Sequence, residues 1–235
     1  MKLKTLMFLI AATVFGAAIC FLPSANLRTA HAEDFENPKA GAVKWKVVDY
    51  NRIQTHPART PNKISGGIAF DFLNTPDTAL LGTSHPSYKG DLLGDMTGKT
   101  VSARVGVSGA TAQFTYYGTC GTRPANVRLY FETNTSGKFE ETDYWWSNPM
   151  SYDLEDLKAS DQTLLANFFD PNQWSDFYGH LGSDPAYTAA FNNAVKDVQF
   201  VGVSFGGGCF FENGVGVQPG TGSASFRLMD FTVTP

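Results

Sequence analysis

Apolar residues recur with a period of two along much of the chain. In 42–49, Val43, Trp45 and Val47 fall on one side and Lys44 and Lys46 on the other. Ile68, Phe70 and Phe72 repeat the pattern, as do Val101, Ala103, Val105 and Val107. In 126–132, Val127, Leu129 and Phe131 oppose Asn126, Arg128 and Glu132. Successive side chains of a strand point to opposite sides, so each segment predicts a strand with one buried face. Val198 to Phe205 is apolar in both phases, as a central strand should be. In Ser223 to Val233, Phe226 and Leu228 alternate with Arg227. Carrying that phase forward turns Asp230 inward, where an unpaired carboxylate is costly and calls for a partner, a bulge or a cation.

Turn chemistry separates these runs. Asn62 to Gly67, Thr97-Gly98 and Asn213-Gly214 are turn clusters. The last stands between Phe210-Phe211 and Val215, a type I′ hairpin signal. One helix is predicted near 185–196: Asp184 caps it, Pro185 suits its first turn, and Tyr187, Phe191, Ala194 and Val195 fall at helical spacing. Residues 73–96, with Pro76, His85-Pro86 and Gly90, read as a long loop. The expected fold is all-β: an antiparallel jelly-roll β-sandwich with one short helix and long loops, in a single domain over 33–235.

Composition narrows the class. Aromatic residues make up 14% of the 235 positions and charged residues only 17%, against roughly 25% charged in an average soluble domain. Disordered chains have the opposite balance. The net charge of −4 argues against a nucleic-acid binder, which shows a basic excess or stripe.

The N-terminus has the layout of an export signal. Lys2 and Lys4 precede the uncharged run Thr5–Leu22, and Ala30-His31-Ala32 offers a small-x-small cleavage site. An uncleaved anchor is the rival reading, since the run is near the lower limit for a spanning helix. Cleavage after Ala32 is expected, giving a secreted, extracellular or periplasmic protein with no membrane span. It removes Lys2, Lys4 and Arg28, three of the 18 basic residues and none of the 22 acidic ones, leaving 15 against 22 and a net charge of −7. Cys20 leaves as well, and Cys120 and Cys209 read as one disulfide of an exported chain, with free buried thiols as the alternative.

Several segments carry a resemblance. Asp34-Phe35-Glu36-Asn37 followed by Trp45 is similar to the opening of many jelly-roll carbohydrate-binding modules. Gly90 to Val101 and Phe191 to Gly202 resemble stretches of laminin B-type domains, and Leu228 to Val233 is similar to the ending of both groups. The run Val203 to Gly216 resembles secreted bacterial sandwich proteins. The resemblance implies a galactose-binding-like jelly roll with extracellular binding or adhesion and no reaction. It also implies a structural calcium where first and last strands meet, with Asp230 and Glu36 as oxygen ligands. A strand-end Asp230 bonded to backbone or solvent is the plainer alternative.

Catalytic signals are weak. Gly202-Val203-Ser204-Phe205-Gly206 matches a nucleophile elbow, but no histidine follows it and glycines replace the required helix. His56, His85 and His180 form no close-spaced metal motif; His180 is read as a loop residue that can line a ligand cleft. Glu141-Thr142-Asp143 begins like a glucanase strand but continues Tyr144-Trp145-Trp146, without the third carboxylate. Binding features are stronger. Tyr144, Trp145, Trp146, Trp174 and Asp176 lie in two runs that mix flat rings with short polar side chains, as sugar recognition requires. On a strand, Trp145 and Trp146 face opposite ways, so one of them needs cover or a ligand. The expected partner is a glycan or another cell-surface polymer; the alternatives are a structural or adhesive envelope protein and, behind it, a glycan-active hydrolase. Asn134-Thr135-Ser136 fits a glycosylation sequon.

Overall fold

A computed structural model describes residues 44–50, 57–117, 123–134, 138–207 and 214–235. The N-terminal signal layout, Glu36, His56, Cys120, Cys209, Asn213 and the end of the sequon lie outside the described residues.

In chain order the strands are β1 (Lys46–Asp49), β2 (Asn62–Ile64), β3 (Gly67–Asp71), β4 (Thr78–Thr83), β5 (Thr100–Ser108), β6 (Phe114–Tyr116) and β7 (Asn126–Glu132). They continue as β8 (Tyr144–Asp153), β9 (Gln162–Asn167), β10 (Trp174–Ser175), β11 (Phe200–Gly206), β12 (Val215–Val217) and β13 (Ser225–Thr234). The α-helix α1 (Thr188–Lys196) precedes β11. Two antiparallel sheets result. The larger runs β10-β8-β7-β11-β4-β12-β6, with β1 also paired to β4; the smaller runs β2-β3-β13-β5-β9. The chain is an all-β sandwich, as the alternation predicts. No helix among the described residues is long and apolar enough to cross a membrane.

Inward positions of the alternating strands build the core between the sheets. Phe70, Phe72, Phe205 and Phe226 meet there edge to face or tilted. Trp45 packs on Phe231 with ring centres 5.2 Å apart. At the other end Trp174 stacks on Phe168, and Trp145 meets Phe191, the first buried residue of α1. The helix lies where expected, but its first turn starts at Thr188 and its N-cap is Tyr187. The Asp184 carbonyl, rather than its side chain, accepts from Thr188 N–H and from Thr188 Oγ1.

Three expectations are corrected. Residues 73–96 are not one loop: Thr78–Thr83 is a strand that pairs with β1, β11 and β12. Ala79 and Leu81 face the core while Leu80 packs in a cluster on the opposite face, so no alternation marked it. Asn62–Ile64 is strand β2 rather than turn, and only Ser65-Gly66 makes the turn into β3. Asp230 does not continue the inward phase. A bulge between Leu228 and Asp230 inserts Met229 unpaired, and the residues that turn inward after it are Phe231 and Val233. The bulge is one of the three devices a misphased carboxylate calls for, yet Asp230 Oδ1 stays shielded from water without a hydrogen-bond partner among the described residues.

A second irregularity sets the site. Residues 126–128 of β7 pair with 153–151 of β8, but Tyr130 pairs with Trp146, so several residues of β8 oppose Leu129. Leu129 N–H donates instead to Ser147 Oγ at 3.0 Å. The shifted register leaves Trp145 in the core and brings Trp146 beside Tyr130 on the outer face of the large sheet.

Candidate functional site

The outer face of the large sheet carries its own aromatic cluster. Tyr130 (β7), Trp146 (β8) and Phe200 (β11) are buried, with Leu80, Tyr144 and Phe177 packed against them. Gly82 makes room: a Cβ there would lie 2.4 Å from the Phe200 ring. Trp146 Nε1–H donates to Ser204 Oγ at 2.9 Å, so the serine of the elbow-like motif sits mid-strand, buried and bonded to an indole. That is no nucleophile elbow. The indole N–H groups of Trp145 and Trp174 donate to the carbonyls of Thr142 and Asn167. All three tryptophans are thus buried with their N–H groups paired, and none presents a ring face to solvent. Trp146 has found cover from Tyr130, Phe177 and Phe200, which lie far from it in sequence.

At one edge this cluster reaches water. Phe177 sits 6.1 Å from Trp146, 4.9 Å from Phe139 and 5.3 Å from Tyr178, ring centre to ring centre. Phe139 also stacks on Tyr144 at 5.7 Å. Phe139 and Tyr178 are 52% and 50% exposed, so a buried chain of rings ends in an open aromatic edge. Of the sequence candidates, the structure brings Tyr144 and Asp176 to this edge and sets Trp145, Trp146 and Trp174 behind it.

A tight hairpin displays the edge. Trp174 and Ser175 lead in, Leu181 bridges back to Ser175, and Gly182 N–H donates to the Trp174 carbonyl. The tip turns at Gly179, whose φ of 87° lies in the left-handed region that favours glycine. Asp176, fully buried, ties the tip together. Its Oδ1 accepts from the N–H groups of Tyr178 and His180, and its Oδ2 lies 2.9 Å from His180 Nδ1. A buried carboxylate needs that many donors to offset its desolvation. His180 stacks on Tyr187 at 4.1 Å with the rings 9° from parallel. The loop before β8 closes over the hairpin, with Phe177 N–H donating to the Glu141 carbonyl. One ligand atom each from Glu141, Asp176 and His180 lie within 4.8 Å of one another. The Tyr187 phenol is held above its ordinary value by desolvation, then by the negative charges of Glu141, Asp176 and Asp184.

Beside this edge, Glu132 ends β7. Burial pushes its carboxyl up to about 7, against the lowering effect of the hydrogen bond it accepts from Tyr130 Oη at 2.5 Å; Asp143 raises it further. Asp143 in turn accepts from Asn134 Nδ2 at 3.0 Å. Desolvation and the charges of Glu132 and Asp143 also raise the Tyr144 phenol. An acid at a strand end is ordinary, so the sequence alone does not mark Glu132; its partner Tyr130, two residues earlier on the same face, is the available signal. A cavity of about 330 Å³ opens nearby, lined by Ser84, Lys89, Leu93, Asp197, Val198 and Gln199 among others. Gln199 N–H donates to the Glu132 carbonyl. The cavity is at the small end of ligand pockets and its lining holds no aromatic ring.

No family model matches this sequence, and no curated protein does. Among solved structures, the chain is similar to a protein described as xylan-binding module CBM15, with a TM-score of 0.38 and 13% identity. The likeness covers 79% of this chain and 90% of that one. It is too loose to carry a ligand across.

Proposed function

We propose that this protein is an exported, non-catalytic binding protein for carbohydrate, and that Phe139, Tyr144, Phe177 and Tyr178 form its stacking surface. The observation that carries the reading is the open end of the aromatic chain, where Phe139 and Tyr178 stand half exposed on either side of Phe177. The apolar C–H face of a pyranose stacks on such rings, while Glu141, His180 and the Tyr178 hydroxyl at the same edge suit its hydroxyl groups. Exposed rings on a rigid, hydrogen-bonded hairpin also cost little entropy to order on binding. Export rests on the N-terminal layout, and sequencing the secreted protein from Glu33 would bear it out. A calcium held by Glu36 and Asp230 is supported by Asp230 Oδ1, which is shielded from water without a hydrogen-bond partner among the described residues.

A glycan array of the purified protein, repeated with Phe139→Ala and Tyr178→Ala, tests the surface. We expect a saccharide signal that falls at least tenfold in both variants, with thermal unfolding unchanged. A blank array, or binding that survives both substitutions, defeats it. A second reading, hydrolysis of the bound glycan, draws on Glu132: a carboxyl still partly protonated at neutral pH, with a second carboxyl, Asp143, close by, has the properties of a general acid in a two-carboxyl site. Reducing ends released from the array's best ligand, and lost in Glu132→Gln, would favour it.

A further inference from the structure

The hairpin carries a second chemistry that needs no saccharide. We propose that Glu141, Asp176 and His180 bind a divalent transition-metal ion of the zinc class. The three residues come from two segments: Glu141 from the loop before β8, and Asp176 and His180, four residues apart, from the two arms of the hairpin. Folding nevertheless gathers one ligand atom from each within 4.8 Å of one another. His180 Nδ1 and Asp176 Oδ2 now share a hydrogen bond at 2.9 Å; an ion in tetrahedral coordination at about 2.0–2.1 Å from each would take the place of that proton and part the two atoms only slightly, to about 3.3–3.4 Å.

The donor types choose the metal. One imidazole with two carboxylates suits zinc and its first-row neighbours, whereas calcium and magnesium favour all-oxygen sites. The supporting shell is already in place. Two backbone N–H groups fix the Asp176 carboxylate, and the Tyr187 ring holds the imidazole plane. Such partners orient metal ligands and contribute to affinity. The charge balance also favours a cation: the Glu141 side chain makes no hydrogen bond or ion pair among the described residues, and Asp184 adds a further negative charge nearby. Three protein ligands leave a coordination position for water or for an oxygen of a bound molecule. The ion would join the Phe139 loop to the hairpin that carries Phe177 and Tyr178.

The test is a titration of the chelator-stripped full chain with zinc chloride, read by calorimetry and by thermal unfolding, with calcium chloride in parallel. Glu141→Gln and His180→Ala are the variants, because both side chains are partly exposed, whereas buried Asp176 holds the hairpin together and its loss would unfold the tip. We expect one zinc equivalent to raise the melting temperature of the wild type. That equivalent should disappear in His180→Ala and weaken at least tenfold in Glu141→Gln; with metal withheld, Glu141→Gln should melt like the wild type and His180→Ala lower, because Asp176 loses a donor. Wild-type zinc affinity in both variants would place the binding elsewhere and overturn the proposal. So would stabilisation by calcium but not by zinc. No saccharide is present in this titration, so its outcome is independent of the glycan reading.

Discussion

Two aromatic assemblies occupy opposite faces of the large sheet, and they differ in what surrounds them. Between the sheets, Trp45, Trp145, Trp174 and their phenylalanine neighbours are enclosed by aliphatic side chains, and the two indoles whose bonds are described donate to backbone carbonyls. On the outer face, Tyr130, Trp146 and Phe200 are also buried, but Tyr130 and Trp146 donate to side chains, and the cluster runs by way of Phe177 into exposed Phe139 and Tyr178. Ring content alone does not separate packing from recognition. The distinguishing features are polar side-chain partners and a continuous route to solvent.

Truncation in the core should produce the largest effect. Trp174 is buried against Phe131 and Phe168, so Trp174→Ala opens a cavity that its neighbours cannot fill, and we expect it to cost roughly 3–5 kcal/mol of unfolding free energy. Urea denaturation measures this. A loss below about 1 kcal/mol would mean that the inner assembly is not the stabilising one.

Much of that inner assembly was legible in the sequence, because a strand with one buried face imposes a period of two. Ile68, Phe70, Val105, Val127, Leu129 and Phe131 all lie in the core as their spacing predicts. Strand β4 was not legible: Leu80 and Leu81 are adjacent and serve opposite faces, which erases the period. Nor was the Met229 bulge, since one unpaired residue reverses the phase of a strand without changing its composition. For the site, the sequence brought out Tyr144, Asp176 and the opposed faces of Trp145 and Trp146. It could not supply the cover over Trp146, nor the meeting of Glu141 with His180, because both arise from contacts between distant segments.

The outer cluster should respond to pH where the core does not. Glu132 titrates at about 7 in the folded chain against an ordinary value of 4.5. The folded state therefore keeps a proton that the unfolded chain releases. Stability is full below about 4.5 and falls as the pH rises through about 7, by on the order of 3 kcal/mol. Glu132→Gln keeps the acceptor for Tyr130 and removes the titration, so its unfolding free energy should be flat across that window. An equal pH slope in the variant would assign the effect to other groups.

The smallest of these effects bears most directly on the contrast between the faces. Trp146→Phe keeps most of the buried ring area but removes the indole N–H that Ser204 Oγ accepts. Ser204 is buried in the middle of β11, so its hydroxyl loses a partner that water cannot readily replace. A cost of about 1–2 kcal/mol is expected, most of it recovered when Ser204→Ala is added, because removing both partners is far cheaper than orphaning one. The same Phe substitution at Trp174 frees only the Asn167 carbonyl, and no second side chain can be changed to recover the loss. Recovery at position 146 therefore identifies the outer cluster as a polar network carried on rings. If Ser204→Ala recovers nothing, the outer cluster is held by ring packing alone, and the difference between the two faces reduces to the exposed edge at Phe139 and Tyr178.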